Sequence, residues 1–205
     1  MDWRSRRTMR PVFLALQIDL MIVTAQGNSS VTDAPSHIEK RPTAIMDLLH
    51  LTLTLAASLG SGMMAGLFFV FSVVIMKALG RLPPAEGIAA MQSINQLILN
   101  PWFFAVFFGT ALCGLLLTGI TLLHWHSPAS GFLIAATLLY LGGCIIVTIA
   151  GNVPLNNALA AKNPADNAAA AFWSRYLDVW TRWNHVRAAT CAVSSVLFML
   201  AACQQ

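Results

Sequence analysis

Charge is what this 205-residue sequence has least of: Asp, Glu, Lys and Arg make up 10% of it, against 57% hydrophobic residues. An ordinary soluble domain is roughly a quarter charged, so too little charge is present to solvate a globular surface. The formal net charge of +4 does not point to nucleic acid, because the basic residues sit at the edges of apolar runs rather than along one patch. Metal-ligand spacing is also missing. Cys113, Cys144, Cys191 and Cys203 each fall inside an apolar run, none in a C-x-x-C pair, and read as small buried hydrophobes. His124 and His126, two residues apart, would point away from each other on a helix, and their loop carries no third ligand. No Gly-x-Ser-x-Gly and no Gly-x-Gly-x-x-Gly occurs, so neither a nucleophile elbow nor a dinucleotide fold is indicated. No apolar run has a central Asp, Glu, Lys or Arg, which argues against a proton-coupled transporter.

What is present is length of apolar chain. Four stretches are predicted to span a bilayer: about 48–76, 102–123, 131–151 and 186–203. About 20 apolar residues cross a hydrocarbon core of ~30 Å. The first stretch, at ~1.5 Å per residue, reaches ~43 Å and must tilt or protrude. The fourth is short alone, but helical pattern extends back through Phe172–Arg187 and makes one long helix. The expected fold is all-α, an integral membrane four-helix bundle over residues 46–205. Small residues mark two predicted helix-contact faces, Ser58-Gly62-Gly66 and Ala105-Gly109-Cys113.

Residues 1–45 read as a leader outside the bundle. Arg4, Arg6, Arg7 and Arg10 precede an apolar stretch ending in Val23-Thr24-Ala25, where a signal peptidase would find small residues at the usual positions. Met46, directly before the first clean span, makes an over-extended start the main reading, with a signal peptide or extra anchor as the alternative. Lys77, Arg81, Lys162, Arg175, Arg182 and Arg187 lie on the side of the first and third loops. The excess of Lys and Arg predicts that loops 77–101 and 152–186 are cytoplasmic, in a bacterial plasma membrane.

Three polar clusters share that side. Met91-Gln92-Ser93-Ile94-Asn95 lies in a short helix begun by Pro83-Pro84 and closed near Asn100-Pro101. Gly151-Asn152-Val153-Pro154-Leu155-Asn156-Asn157 follows the third span; Pro154 has no N–H and is expected to break the helix ladder. In the third cluster Trp180, Asn184, Arg187 and Cys191 recur at i, i+4, i+7 and i+11, one face of a helix, with Trp173 and Tyr176 one to two turns earlier. An interfacial aromatic belt with a snorkelling arginine would use the same residue types. A pocket accounts in addition for asparagines arriving from two other segments: Asn95, Asn152, Asn156, Trp173, Tyr176 and Trp180 would bind a flat apolar ligand, while Asn184 and Arg187 orient its oxygens.

Together, Gly151–Asn157, Trp180–Arg187, Met91–Asn95 and Asn100-Pro101 resemble the anthrone oxygenase-like family of four-span membrane proteins, over roughly Met46–Ala202. The resemblance implies a helical membrane fold, and oxidation of an anthrone-type aromatic to the quinone by O₂ without a bound cofactor. In that chemistry Arg187 with Asn184 would stabilise an enolate oxygen. His185 is the best base by residue type, although its helical position points it away from the Arg187 face. The competing reading is a non-catalytic membrane protein that binds a lipid or quinone-like molecule or scaffolds a partner. Beyond the bilayer and a small aromatic or quinone-like ligand no partner is indicated, and oligomeric state is not legible.

Overall fold

A computed structural model describes residues 40–123 and 128–205. The leader reading, up to residue 39, and the His124/His126 pair lie outside the described residues. Among the described residues there is helix and no strand: α1 (Lys40–Val70), a π-helical turn Phe71–Ile75 and α2 (Met76–Leu79); α3 (Pro84–Leu97); α4 (Pro101–Leu123); α5 (Ser130–Leu139), two π-helical stretches Tyr140–Ile146 and Thr148–Asn152, and α6 (Val153–Ala160); and α7 (Asn167–Ala202). Four continuous helices are long and apolar enough to cross a membrane: Ala44–Leu79, Pro101–Leu123, Ser130–Ala160 and Asn167–Ala202. The protein is an all-α, four-span integral membrane protein.

Two helices run further than hydropathy alone predicts. The third span does not stop at Gly151 but continues through Pro154 to Ala160. Membrane helices tolerate proline where neighbours and local π adjustments re-satisfy the freed backbone groups, and here a π-helical stretch ends two residues before it. The fourth is a single helix of 36 residues from Asn167.

The core is stacked in three tiers along the bundle. Ala57, Leu117, Leu133 and Phe198 fill one end. Met64, Phe68, Phe107, Tyr140, Cys144 and Cys191 fill the middle. Met76, Ile88, Met91, Leu159, Trp173 and Tyr176 fill the other end, where α3 is packed. Small residues and hydroxyls join the helices. Ser58 Oγ donates to Ser195 O at 3.0 Å and Ser195 Oγ to Ser58 O at 2.8 Å, closing α1 on α7. Of the two small-residue faces, Ser58-Gly62 makes this contact, while a Cβ on Gly66 or Gly109 would meet nothing. The close approaches of α4 run instead through Thr110, against Gly60, and Gly114, against Thr137 and Phe198. A period of four marks a small face but does not say which neighbour it meets.

Helix α3 starts where prolines allow it: Pro83 is extended, Pro84 supplies a pre-set φ, and Glu86 sits in the positive first turn. Ile88, Met91 and Asn95 share its inward face, and Gln92 Nε2 ties it to Leu159 O and Lys162 O, each at 2.9 Å. Asn100 then caps α4, its Oδ1 accepting from Phe103 N at 3.0 Å, with Pro101 as first helical residue.

Candidate functional site

The middle tier and the tier holding α3 meet around Arg187. Its side chain is 5% exposed, and its guanidinium carbon lies 4.2 Å from the Phe68 ring centroid and 5.2 Å from that of Trp180. Nη2 donates to Asn184 Oδ1 at 2.6 Å and Nη1 to Thr148 Oγ1 at 3.3 Å, while Nε has no partner. The single ion pair among the described residues is Arg182–Asp178, on the surface, so no carboxylate compensates Arg187. Magnitudes make that unusual. Removing an ion from water costs several kcal/mol even after relaxation, and a cation–π contact returns ~0.5–2. Two rings and two uncharged oxygens leave the guanidinium under-compensated.

Asn184 holds that charge in place. It is fully buried, and its Nδ2 donates to Phe68 O at 2.6 Å and Ser72 Oγ at 2.7 Å, beside the π turn of the first span. With Oδ1 on Arg187, the amide is used up by the protein. Asn184 therefore orients Arg187 and has nothing left for a ligand. In the neighbouring tier the Oδ1 of Asn156 is taken as well: Tyr176 Oη and Trp180 Nε1 both donate to it at 2.8 Å. Asn95 Nδ2 reaches Tyr176 Oη at 3.4 Å. Asn152 is buried, with Nδ2 donating to Trp180 O at 3.2 Å, and its Oδ1 has no partner.

These groups enclose a cavity of about 100 Å³. Arg187, Asn152, Asn156, Asn95, Thr148 and Trp180 supply its polar and indole wall; Phe68, Phe71, Phe103 and Met91 supply much of the apolar one, and the exposed Leu99 and Val153 lie at its rim. Arg187, whose Nε has no acceptor, and Asn152, whose Oδ1 has no donor, are thus both among the residues lining one apolar space. As it stands the space is below the ~300–1,000 Å³ of sites that enclose drug-sized ligands, so a polycyclic guest must displace the rim.

Five of the nine residues singled out in the sequence line this cavity: Asn95, Asn152, Asn156, Trp180 and Arg187. Tyr176 is bonded to two of them, and Asn184 stands behind Arg187. Trp173 does not reach it. Its ring stacks on Tyr176 at 5.4 Å and 17° and fills the space left by Gly87, where a Cβ would sit 3.0 Å from the indole. The aromatic ladder thus stacks on itself rather than presenting a free platform. His185 is exposed and lines two outer grooves, away from the cavity. Two residues along a helix are ~200° around it, so Arg187 facing inward turns His185 outward. Thr148 carried a usable signal, four residues before Asn152 on one helical face. Phe68 and Phe71 carried none, because every neighbour in the first span is apolar as well. Among the described residues no three His, Cys, Asp or Glu side chains group as a metal site.

Residues 102–197 match the family model described as anthrone oxygenase. The matched region contains Thr148, Asn152, Asn156, Trp180, Asn184 and Arg187 and leaves out Phe68 and Asn95. No curated protein and no solved structure matches the chain.

Proposed function

We propose that this chain, anthrone oxygenase-like over residues 102–197, takes up a hydrophobic aromatic ketone at the Arg187 cavity, favours its enolate and lets O₂ oxidise it. The observation that carries the reading is the buried, carboxylate-free Arg187, with Nε unpaired, lining the same cavity as Asn152, whose Oδ1 is unpaired. An enolate oxygen supplies the acceptor that Arg187 lacks, and a ligand hydroxyl supplies the donor that Asn152 lacks. The charge develops where water is scarce, which is where a fixed donor is worth most.

The chemistry balances without a further reactant. An anthrone gives up one proton from its methylene carbon, and the resulting carbanion–enolate takes up O₂ at that carbon. The hydroperoxide formed on reprotonation loses water and leaves the quinone, so anthrone plus O₂ yields anthraquinone plus H₂O. The residues lining the cavity include no carboxylate or imidazole. The protein's role is therefore to bind the ring system and lower the energy of the anion, with the proton leaving to water. Lys77, Arg81, Lys162, Arg175 and Arg182 all flank this end of the bundle, and on that ground it faces the cytoplasm.

The missing base also favours a second reading, a quinone-like ligand bound without turnover. Aerobic oxidation of 1,8-dihydroxyanthrone by purified full-length protein, with metal and flavin measured in parallel, separates them. The enzyme reading expects quinone formation faster than in matched protein-free detergent, and at least ~100-fold slower catalysis in Arg187→Lys, which keeps the charge but loses the planar fork. A wild-type rate equal to the blank ends the catalytic reading, and saturable binding at that rate leaves the binding one. Unchanged catalysis in Arg187→Lys removes Arg187 from either role.

A further inference from the structure

Two grooves on the outer face between the first span and α7 meet at His185. One, of about 460 Å³, is apolar and walled by small residues, with Ala65, Gly66 and Phe69 on one side and Ala188, Ala189 and Ala192 on the other. The other, of about 490 Å³, continues it toward the loop end, where Lys77, Ser174, Asp178, Thr181 and Arg182 join the apolar Met76 and Leu177 along it. From these we infer that the continuous groove is a binding site for one anionic glycerophospholipid. Its acyl chain lies along Gly66 and Ala192, and its phosphate sits at Lys77.

Depth fits that occupant on both walls. Arg182 to Ala192 is ten residues and Lys77 to Ala65 is twelve, ~15 and ~18 Å at ~1.5 Å per residue. Half of a ~30 Å hydrocarbon core is the depth of one leaflet. The whole groove therefore spans about the depth of one leaflet, with Lys77 and Arg182 at its headgroup end and Ala65 and Ala192 at its deep end. Charge fits as well. Asp178 is closed on Arg182, with Oδ1 to Nε at 3.0 Å and Oδ2 to Nη2 at 2.6 Å. Lys77 has no ion-pair partner among the described residues. The exposed His185 and the hydroxyls of Ser174 and Thr181 add polar groups around it. A second copy of the chain fits this face less well: two copies oriented alike in one membrane would bring Lys77 and Arg182 toward their own like charges. This inference stands apart from the Arg187 cavity and does not rest on its chemistry.

The experiment is native mass spectrometry of the full chain released from vesicles of equal parts phosphatidylglycerol and phosphatidylcholine. One phosphatidylglycerol should stay bound in preference to phosphatidylcholine. Lys77→Gln should cut that preference about fivefold, the worth of one lysine at a lipid surface. Gly66→Phe, where a Cβ meets open space, should remove bound lipid of both kinds without loss of thermal stability. Equal retention of the two lipids, or retention indifferent to both variants, overturns the site and leaves ordinary surrounding lipid. A dimer in the wild type that Gly66→Phe dissolves overturns it too, and assigns the face to a second copy.

Discussion

The two halves of α7 bury polar groups in opposite ways. Ser194 and Ser195 spend their hydroxyls on a neighbouring backbone: Ser194 Oγ on Ala136 O at 2.8 Å, Ser195 Oγ on Ser58 O at 2.8 Å. Around Arg187 a full charge is brought in, oriented by an asparagine with no free group, flanked by two rings, and left with one N–H unused. Helix association in a membrane needs no such group, since small residues and hydroxyls already let backbones approach. A buried arginine is costly there, up to ~2.5–3.5 kcal/mol at a helix centre on insertion scales. One half is built for contact, and the other keeps binding capacity that contact does not require.

The sharpest way to break that contrast is Arg187→Met. Removing a buried, uncompensated charge recovers its desolvation cost of several kcal/mol, against ~1–3 kcal/mol for the buried Asn184 Oδ1 left without its donor. The expected outcome is therefore a protein about as resistant to heat in detergent as the wild type, with binding lost and any turnover down at least ~100-fold. A variant that instead unfolds several degrees earlier makes Arg187 a structural brace. Next in size is Asn184→Ala. It strands Phe68 O, Ser72 Oγ and Arg187 Nη2 together, at a cost of ~1–3 kcal/mol for each buried group left unsatisfied. Stability and function should fall together, because the amide supports both the first span and the guanidinium. Urea unfolding of the purified variant, run beside the anthrone assay, reads both.

How much of this was legible in the sequence differs between the two halves. The inward face of α7 was written in spacing: Trp180, Asn184, Arg187 and Cys191, at i, i+4, i+7 and i+11, are all buried. Asn95, Asn152 and Asn156 were visible as polar residues at one end of an apolar chain, and they line the cavity with Arg187. What each amide does was not visible. Asn184 and the Oδ1 of Asn156 are taken by protein partners, beside the π turns at Phe71–Ile75 and Thr148–Asn152, which no local pattern announces. The second of them precedes Pro154 in the third span, which runs on where a proline read locally ends a helix. Trp173 looked like Trp180 in spacing and differs in neighbours: it meets Gly87, on a separate helix.

The smallest effect belongs to the contact half and tests it most directly. In Ser195→Ala one of two reciprocal bonds is lost while Ser58 Oγ keeps Ser195 O as acceptor. Polar contacts between membrane helices average ~0.6 kcal/mol, so the loss should be of that order, with function unchanged. The neighbouring Gly62 makes the prediction specific. A Cβ there would lie 3.2 Å from Ser195 Oγ, so Gly62→Ala alone forces that hydroxyl to move by a few tenths of an ångström and weakens its bond to Ser58 O. With Ser195→Ala already in place the obstacle is gone, and the added methyl meets free space and favours the helix over glycine by up to ~1 kcal/mol. The double variant should therefore be more stable than the sum of the two single changes, the signature of residues in contact. Strict additivity in that cycle would mean that the seryl contact does not set the distance between α1 and α7, and would remove the reason for contrasting it with Arg187.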